Sequence, residues 1–178
     1  MMTHAFGAPR HIVLVGFMGT GKSTVSRLLA EQIGCLAVDM DAEIERRIGR
    51  DIPSIFAQEG EAFFRRVESE VLAALLASED SSIIATGGGA VLAQSNCDLM
   101  LKQGMVVALT AQPEHIIARV RGDENRPLLQ GDVEERVNKL LADRKHAYAF
   151  APLQIDTTAL EAQAVADLIA EQWKATVR

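Results

Sequence analysis

Apolar runs of strand length alternate along this chain with stretches whose apolar positions recur at helical spacing. Ile12-Val13-Leu14-Val15 is unbroken and closes at Gly16, the pattern of a strand covered on both faces. Val25, Leu28, Leu29 and Ile33 then fall on one face of a helix that Gly34 stops. Leu36-Ala37-Val38 predicts a short second strand ending at Asp39. Phe64, Val67, Val71 and Leu75 form the buried stripe of a helix over about 61–77. A third strand over 82–85 is closed by Thr86-Gly87-Gly88-Gly89, and a fourth runs over 105–109. Pro113 opens the next helix, where its missing N–H costs nothing. A polar stretch containing Gly122, Pro127 and Gly131 breaks the pattern before another helix over about 133–147. Leu153-Gln154-Ile155 predicts the last strand, and Val165, Leu168, Ile169 and Trp173 one face of a closing helix.

Five such alternations predict an α/β fold, a five-stranded parallel sheet with helices on both faces. Sheets of this kind place their functional loops at the carboxyl ends of the strands. The chain of 178 residues is read as one domain, 1–178, with the polar segment at about 120–131 as a mobile lid. Composition narrows the choice of function. At a formal charge of −6 and with no Lys/Arg-rich run, the chain is not expected to bind nucleic acid. No run has the length of a membrane span and Met1–Arg10 has no signal-peptide core, so a cytoplasmic setting without a membrane partner is expected. Cys35 and Cys97 lie far apart and outside any CxxC, and are read as two buried thiols. The four histidines, His4, His11, His115 and His146, form no ligand cluster. Arginine outnumbers lysine 13 to 5, a bias that suits planar recognition of carboxylate or phosphate.

Gly16-Phe17-Met18-Gly19-Thr20-Gly21-Lys22-Ser23 fits G-x-x-x-x-G-K-[ST] between a predicted strand and a predicted helix. The glycines let successive N–H groups converge on one anion, and the helix adds its positive end. Lys22 supplies a point charge for the outer phosphates, and the Ser23 hydroxyl a ligand for Mg²⁺. With this composition a chance match anywhere in the chain has a probability of roughly 0.2%. The motif therefore predicts nucleotide binding.

The acceptor side is spread over several strand ends. Asp39 and Asp41 follow the second strand; in extended backbone they would face the same way. One could hold a magnesium-bound water while the other accepts a hydrogen bond from an attacking hydroxyl; alternatively Asp41 only caps the next helix. Arg65 and Glu68 share a helix face at i, i+3. Three consecutive glycines, Gly87 to Gly89, point to a close backbone approach. Arg126-Pro127-Leu128-Leu129 puts an arginine in the polar segment, where arrival on closure would stabilise charge on a transferring phosphoryl group. A GTP-switch reading lacks support: no Asp has Gly three residues later, and Asn138-Lys139-Leu140-Leu141 lacks the closing acid of a guanine-reading motif.

Taken in this order and at these intervals, the motifs resemble shikimate kinase, of the nucleoside-monophosphate-kinase-like P-loop fold. The resemblance runs from Ile12 to the last helix and includes Phe64 to Glu68, Arg126-Pro127-Leu128-Leu129, and Arg144 with Tyr148. It implies ATP-dependent phosphorylation of the 3-hydroxyl of shikimate, with Mg²⁺. It further implies nucleotide contacts from Gly19, Thr20, Gly21, Lys22, Ser23 and Thr24, with Arg119 against adenine. Asp41, Lys22 and Arg126 would be catalytic, and Ser23 and Asp39 would serve the metal. Asp41, Arg65, Arg144 and the backbone of Gly87, Gly88 and Gly89 would hold shikimate, with Glu68 orienting Arg65. A monomer is implied. One departure is that residues 156–162, after the last strand, lack the basic and proline residues that family members often carry there. The alternatives are a kinase for another polyol acid such as gluconate, and a nucleotide-dependent binding module without phosphotransfer.

Overall fold

The computed structural model describes residues 9–121 and 127–177. Its centre is a parallel sheet of β1 (His11–Gly16), β2 (Leu36–Asp39), β3 (Ser82–Ala85), β4 (Gly104–Thr110) and β5 (Leu153–Asp156), in the order β2-β3-β1-β4-β5. All four pairings are parallel, with Leu14 opposite Ala85 on one side and Val107 on the other. Between them run α1 (Lys22–Ile33), α2 (Met40–Ile48), α3 (Ile52–Glu59), α4 (Glu61–Leu76), α5 (Gln94–Gln103), α6 (Pro113–Val120) and α7 (Val133–Asp143), and α8 (Ala162–Thr176) follows β5. The five-stranded α/β architecture expected from the sequence is the one observed.

Side-chain alternation along β1 divides the core. Ile12 and Leu14 point to a layer built with Val25 and Leu29 of α1 and Val165 and Ile169 of α8. Val13 and Val15 point to the opposite layer, with Leu72 and Leu76 of α4, Met100 of α5, Ile116 of α6 and Val137 of α7. Because β1 is buried on both faces, its sequence is continuous rather than alternating in polarity. A third cluster, Ile44, Ile52, Ile55, Phe64, Val67 and Val71, locks α2 and α3 onto α4. That cluster fixes where Asp41 and Arg65 stand relative to one another.

Several expectations need adjustment. Helix α7 stops at Asp143, and residues 144–150 form turns instead of continuing the helix to about 147. The stripe of α4 is completed by Leu72 and Leu76, with Leu75 only partly buried, and Leu168 of α8 is 45% exposed rather than on the buried face. Of the two thiols only Cys97 is buried; Cys35 is half-buried beside Gly34 at the end of α1. The ends of the segment expected as a lid are built into the fold. Val120 closes α6, and Pro127–Leu129 forms a single 3₁₀ turn whose Leu129 is buried. Residues 122–126 of that segment lie outside the described residues.

Helix α2 carries Glu43 in its first turn, where Arg46 donates twice at 2.8 Å and Arg47 once at 3.2 Å. These charge-assisted bonds, Arg46 first, hold the Glu43 carboxyl down at about 2. A carboxylate whose folded value lies below its ordinary one stabilises the fold above pH about 4.5, and that contribution is lost as pH falls toward 2. Glu43→Gln is therefore expected to remove part of the acid limb, by about 1 kcal/mol or less for a half-buried carboxylate whose Arg46 partner is exposed to solvent. Urea midpoints at pH 6 and pH 3 test this; parallel losses in the native protein and the variant contradict it.

Candidate active site

Gly16 ends β1, and the chain turns through residues 17–21 into α1. Gly21 stands at the cap of α1 with φ +97°, a backbone conformation strained for any residue with a β-carbon. Among the described residues no side chain caps this helix, so its first N–H groups are left for an anion. The Thr20 hydroxyl donates inward to Phe17 O at 2.7 Å. Lys22 Nζ donates to Gly16 O and Phe17 O at 2.8 and 2.9 Å, which draws the ammonium across the loop. A cleft of about 510 Å³ opens here, lined by Lys22, Ser23, Thr24, Asp39, Asp41 and Gly87 among others.

The two aspartates do not occupy equivalent extended positions. Asp39 ends β2 and caps α2, its Oδ1 accepting from the N–H groups of Asp41 at 3.0 Å and Ala42 at 3.2 Å. Its other oxygen accepts from the Ser23 hydroxyl at 2.6 Å. Asp41 lies in the first turn of α2 and lines both the phosphate cleft and its neighbour. The capping role considered for Asp41 thus belongs to Asp39. Ser23 and Asp39 form an all-oxygen pair beside the cleft, a donor set that suits Mg²⁺, an ion that takes few protein ligands and completes its shell with phosphates and water.

A second cavity adjoins the cleft through Met18, Asp41, Ile52, Gly87 and Gly88. Arg65, Glu68, Arg144 and Gly89 line its far wall, with Phe56, Phe64 and Leu128 as its apolar side. Arg65 comes from α4, its Nη1 donating to Glu68 Oε2 at 2.8 Å while its guanidinium lies 5.2 Å from the Phe64 ring centroid. Arg144, just past α7, is 5% exposed and lies 5.9 Å from the Phe17 ring centroid. Glu68 is 1% exposed, and its Oε1 has no hydrogen-bond partner among the described residues. Burial pushes the Glu68 carboxyl above its usual range, against the pull of Arg65.

The three glycines serve different needs. A β-carbon on Gly87 would stand 2.7 Å from Glu68 Oε1 and 3.1 Å from Asp41 Oδ1. On Gly89 it would stand 2.4 to 2.5 Å from three atoms of the Arg65 guanidinium. On Gly88 it would meet only ordinary contacts, the nearest at 3.4 Å; that residue contributes its carbonyl, which accepts from the Tyr148 hydroxyl at 2.7 Å. Burial pushes the Tyr148 phenol up, opposed by Arg144.

A third cavity, of about 590 Å³, lies across the phosphate loop from the second, lined by Gly19, Thr20, Gly21, Thr24, Arg119 and residues 157–162. Arg119 Nη1 donates to Gly19 O at 2.8 Å. The loop after β5 forms this wall although it lacks basic and proline residues.

The structure therefore brings together Gly19, Thr20, Gly21, Lys22, Ser23, Thr24, Asp39, Asp41, Arg65, Gly87, Gly88, Gly89, Arg119 and Arg144 at the carboxyl ends of the strands. Arg126 lies outside the described residues. Sequence reasoning missed Ile52 and Phe56, because α3 was not predicted. The signal was present: Asp51 accepts from Ser54 N at 2.7 Å with Pro53 in the first turn, a helix start legible as Asp-Ile-Pro-Ser.

Comparison with known proteins identifies a family. The family model described as shikimate kinase matches residues 18–174. The chain is 47% identical over 167 residues to the shikimate kinase of Moorella thermoacetica, covering 94% of this chain and 96% of that one. It is 43% identical over 175 residues to that of Geobacter metallireducens, covering 96% of each. Among solved structures, the shikimate kinase from Acinetobacter baumannii in complex with shikimate superposes with a TM-score of 0.89 at 39% identity, covering 96% of both chains. With the family model matching residues 18–174 and these relatives covering more than nine-tenths of the chain, this chain belongs to the shikimate kinase family.

Proposed function

We propose the following division of labour for the reaction of the family, transfer of the γ-phosphoryl group of ATP to the 3-hydroxyl of shikimate. The chain is an ATP-dependent phosphotransferase acting on an alcohol group in aromatic amino-acid biosynthesis, and its products are shikimate 3-phosphate and ADP. The amides at Gly19, Thr20, Gly21 and Lys22, with the positive end of α1 through Ser23 and Thr24, hold the phosphates. Lys22 moves from the loop carbonyls to the outer phosphates. Ser23 would ligate Mg²⁺ and Asp39 would hold its shell; the ion would supply neutralisation of phosphate charge.

Arg65 and Arg144 grip the shikimate carboxylate, with the backbone at Gly87, Gly88 and Gly89 as the floor. Glu68 fixes the direction of Arg65. Asp41, at the junction of the two cavities, hydrogen-bonds the 3-hydroxyl. As that oxygen bonds to the γ-phosphorus, the bond to the bridging oxygen of ADP breaks with its electron pair, and the hydroxyl proton passes to the Asp41 carboxylate. Arg126 would complete the charge shell around the transferring phosphoryl group, and Arg119 would lie against adenine. The whole chain, 1–178, acts as one domain, a monomer in the cytoplasm without nucleic-acid or membrane partners. The described residues include no helix long and apolar enough to cross a membrane.

The observation that carries the reading is a single cavity lined by two guanidiniums and Asp41 that opens directly onto the phosphate cleft. Mixing the protein with Mg-ATP and a panel of hydroxy acids, gluconate included, tests it: ADP release should depend on shikimate, and release with a different acid alone contradicts it. Asp41→Asn should lower kcat by about 10²- to 10⁴-fold with the melting temperature preserved; wild-type turnover would remove Asp41 from the mechanism. Gly89→Ala should displace Arg65 rather than backbone, raising KM for shikimate about tenfold or more, ~1.4 kcal/mol. An unchanged KM in that variant contradicts the clamp.

A further inference from the structure

Thr157, the first residue beyond β5, is 3% exposed. Its hydroxyl lies 3.1 Å from Thr20 O in the phosphate loop and 3.0 Å from Thr110 O at the end of β4. Its N–H donates to the same Thr110 carbonyl at 2.8 Å. A hydroxyl carries one hydrogen, so the two carbonyls share it. Removing the hydroxyl leaves Thr110 O with the Thr157 N–H but deprives Thr20 O of this buried donor.

The peptide between Thr20 and Gly21 is trans, so its C=O and N–H point to opposite sides. Holding the Thr20 carbonyl toward Thr157 turns the Gly21 N–H away from the β5 side. Gly21, at φ +97° and without a side chain, has nothing of its own to resist rotation of that plane. The Thr20 side chain is already spent inward on Phe17 O. The loop from 157 to 162 walls the nucleotide-side cavity and is pinned a second time where Gln112 N donates to Thr158 Oγ1 at 2.9 Å.

We propose that Thr157 is a positioning residue for the nucleotide: its hydroxyl sets the Thr20–Gly21 peptide of the phosphate loop and ties the wall of the third cavity to it. The proposal deepens the assignment of this cleft to ATP and rests on it. Thr157 touches no reacting atom; it acts by holding a donor group in place before the ligand arrives.

Thr157→Val keeps the shape and removes the hydroxyl, whereas Thr157→Ser keeps the hydroxyl. Steady-state kinetics with each substrate varied in turn, alongside melting temperatures, separates positioning from packing. KM for ATP should rise about tenfold in Thr157→Val, the effect of one buried carbonyl losing its donor, while KM for shikimate stays within about twofold. Thr157→Ser should return KM for ATP to within about twofold of the native value. If Thr157→Val does not fold, Thr157→Ala against Thr157→Ser gives the same contrast. A native KM for ATP in the valine or alanine variant, or a serine variant impaired equally, overturns the proposal. A native protein that shows no ATP-dependent turnover overturns the underlying assignment as well, which keeps the two failures distinct.

Discussion

A guanidinium occupies the space where a β-carbon would stand on Gly89. The rest of the acceptor site depends on that exchange. Arg65 reaches across from α4 to the loop after β3 because that loop has glycine at position 89, and Glu68, one turn further along the same helix, holds it there. The sheet order makes the meeting useful. With β3 beside β1, the glycine loop lies next to the phosphate loop, and Thr86 fastens the two strand ends through its N–H and hydroxyl to Leu14 O at 3.0 and 3.1 Å.

The charges around this cavity are balanced at some cost. Glu68 and Asp41 face Arg65 and Arg144, and burial of Glu68 raises its carboxyl even with a guanidinium attached. Groups so placed contribute less to stability than hydrophobic packing would, yet they fix the direction of two planar cations before a ligand arrives. The apolar side of the same cavity, Phe56, Phe64 and Leu128, suits the carbon face of a ring whose polar groups are met elsewhere. The cluster of α2, α3 and α4 keeps these two sides in register.

Much of this was legible in the sequence where one residue type answers to one physical need. The continuous apolar run of β1 predicted a strand covered on both faces, and the glycine-lysine-serine turn after it predicted an anion cradle. The glycine triplet predicted a close approach, though not that Gly87 faces carboxylates and Gly89 a guanidinium, since that depends on how α4 packs. The placement of Asp39 and Asp41 was misjudged because α2 begins one residue after β2, which turns a presumed extended pair into a cap and a first-turn residue. Helices α3 and α5 escaped because both are short and their apolar residues do not form a clean stripe. Thr157 carried no signal in isolation; its importance comes from two carbonyls that lie 47 and 137 positions away along the chain.

The most direct test is a crystal structure with shikimate and Mg-ADP bound together. The account places the shikimate carboxylate within hydrogen-bonding distance of both Arg65 and Arg144, and a ring hydroxyl on Asp41 facing the terminal phosphate. A ring bound in any other orientation, with its carboxylate away from those guanidiniums, contradicts it.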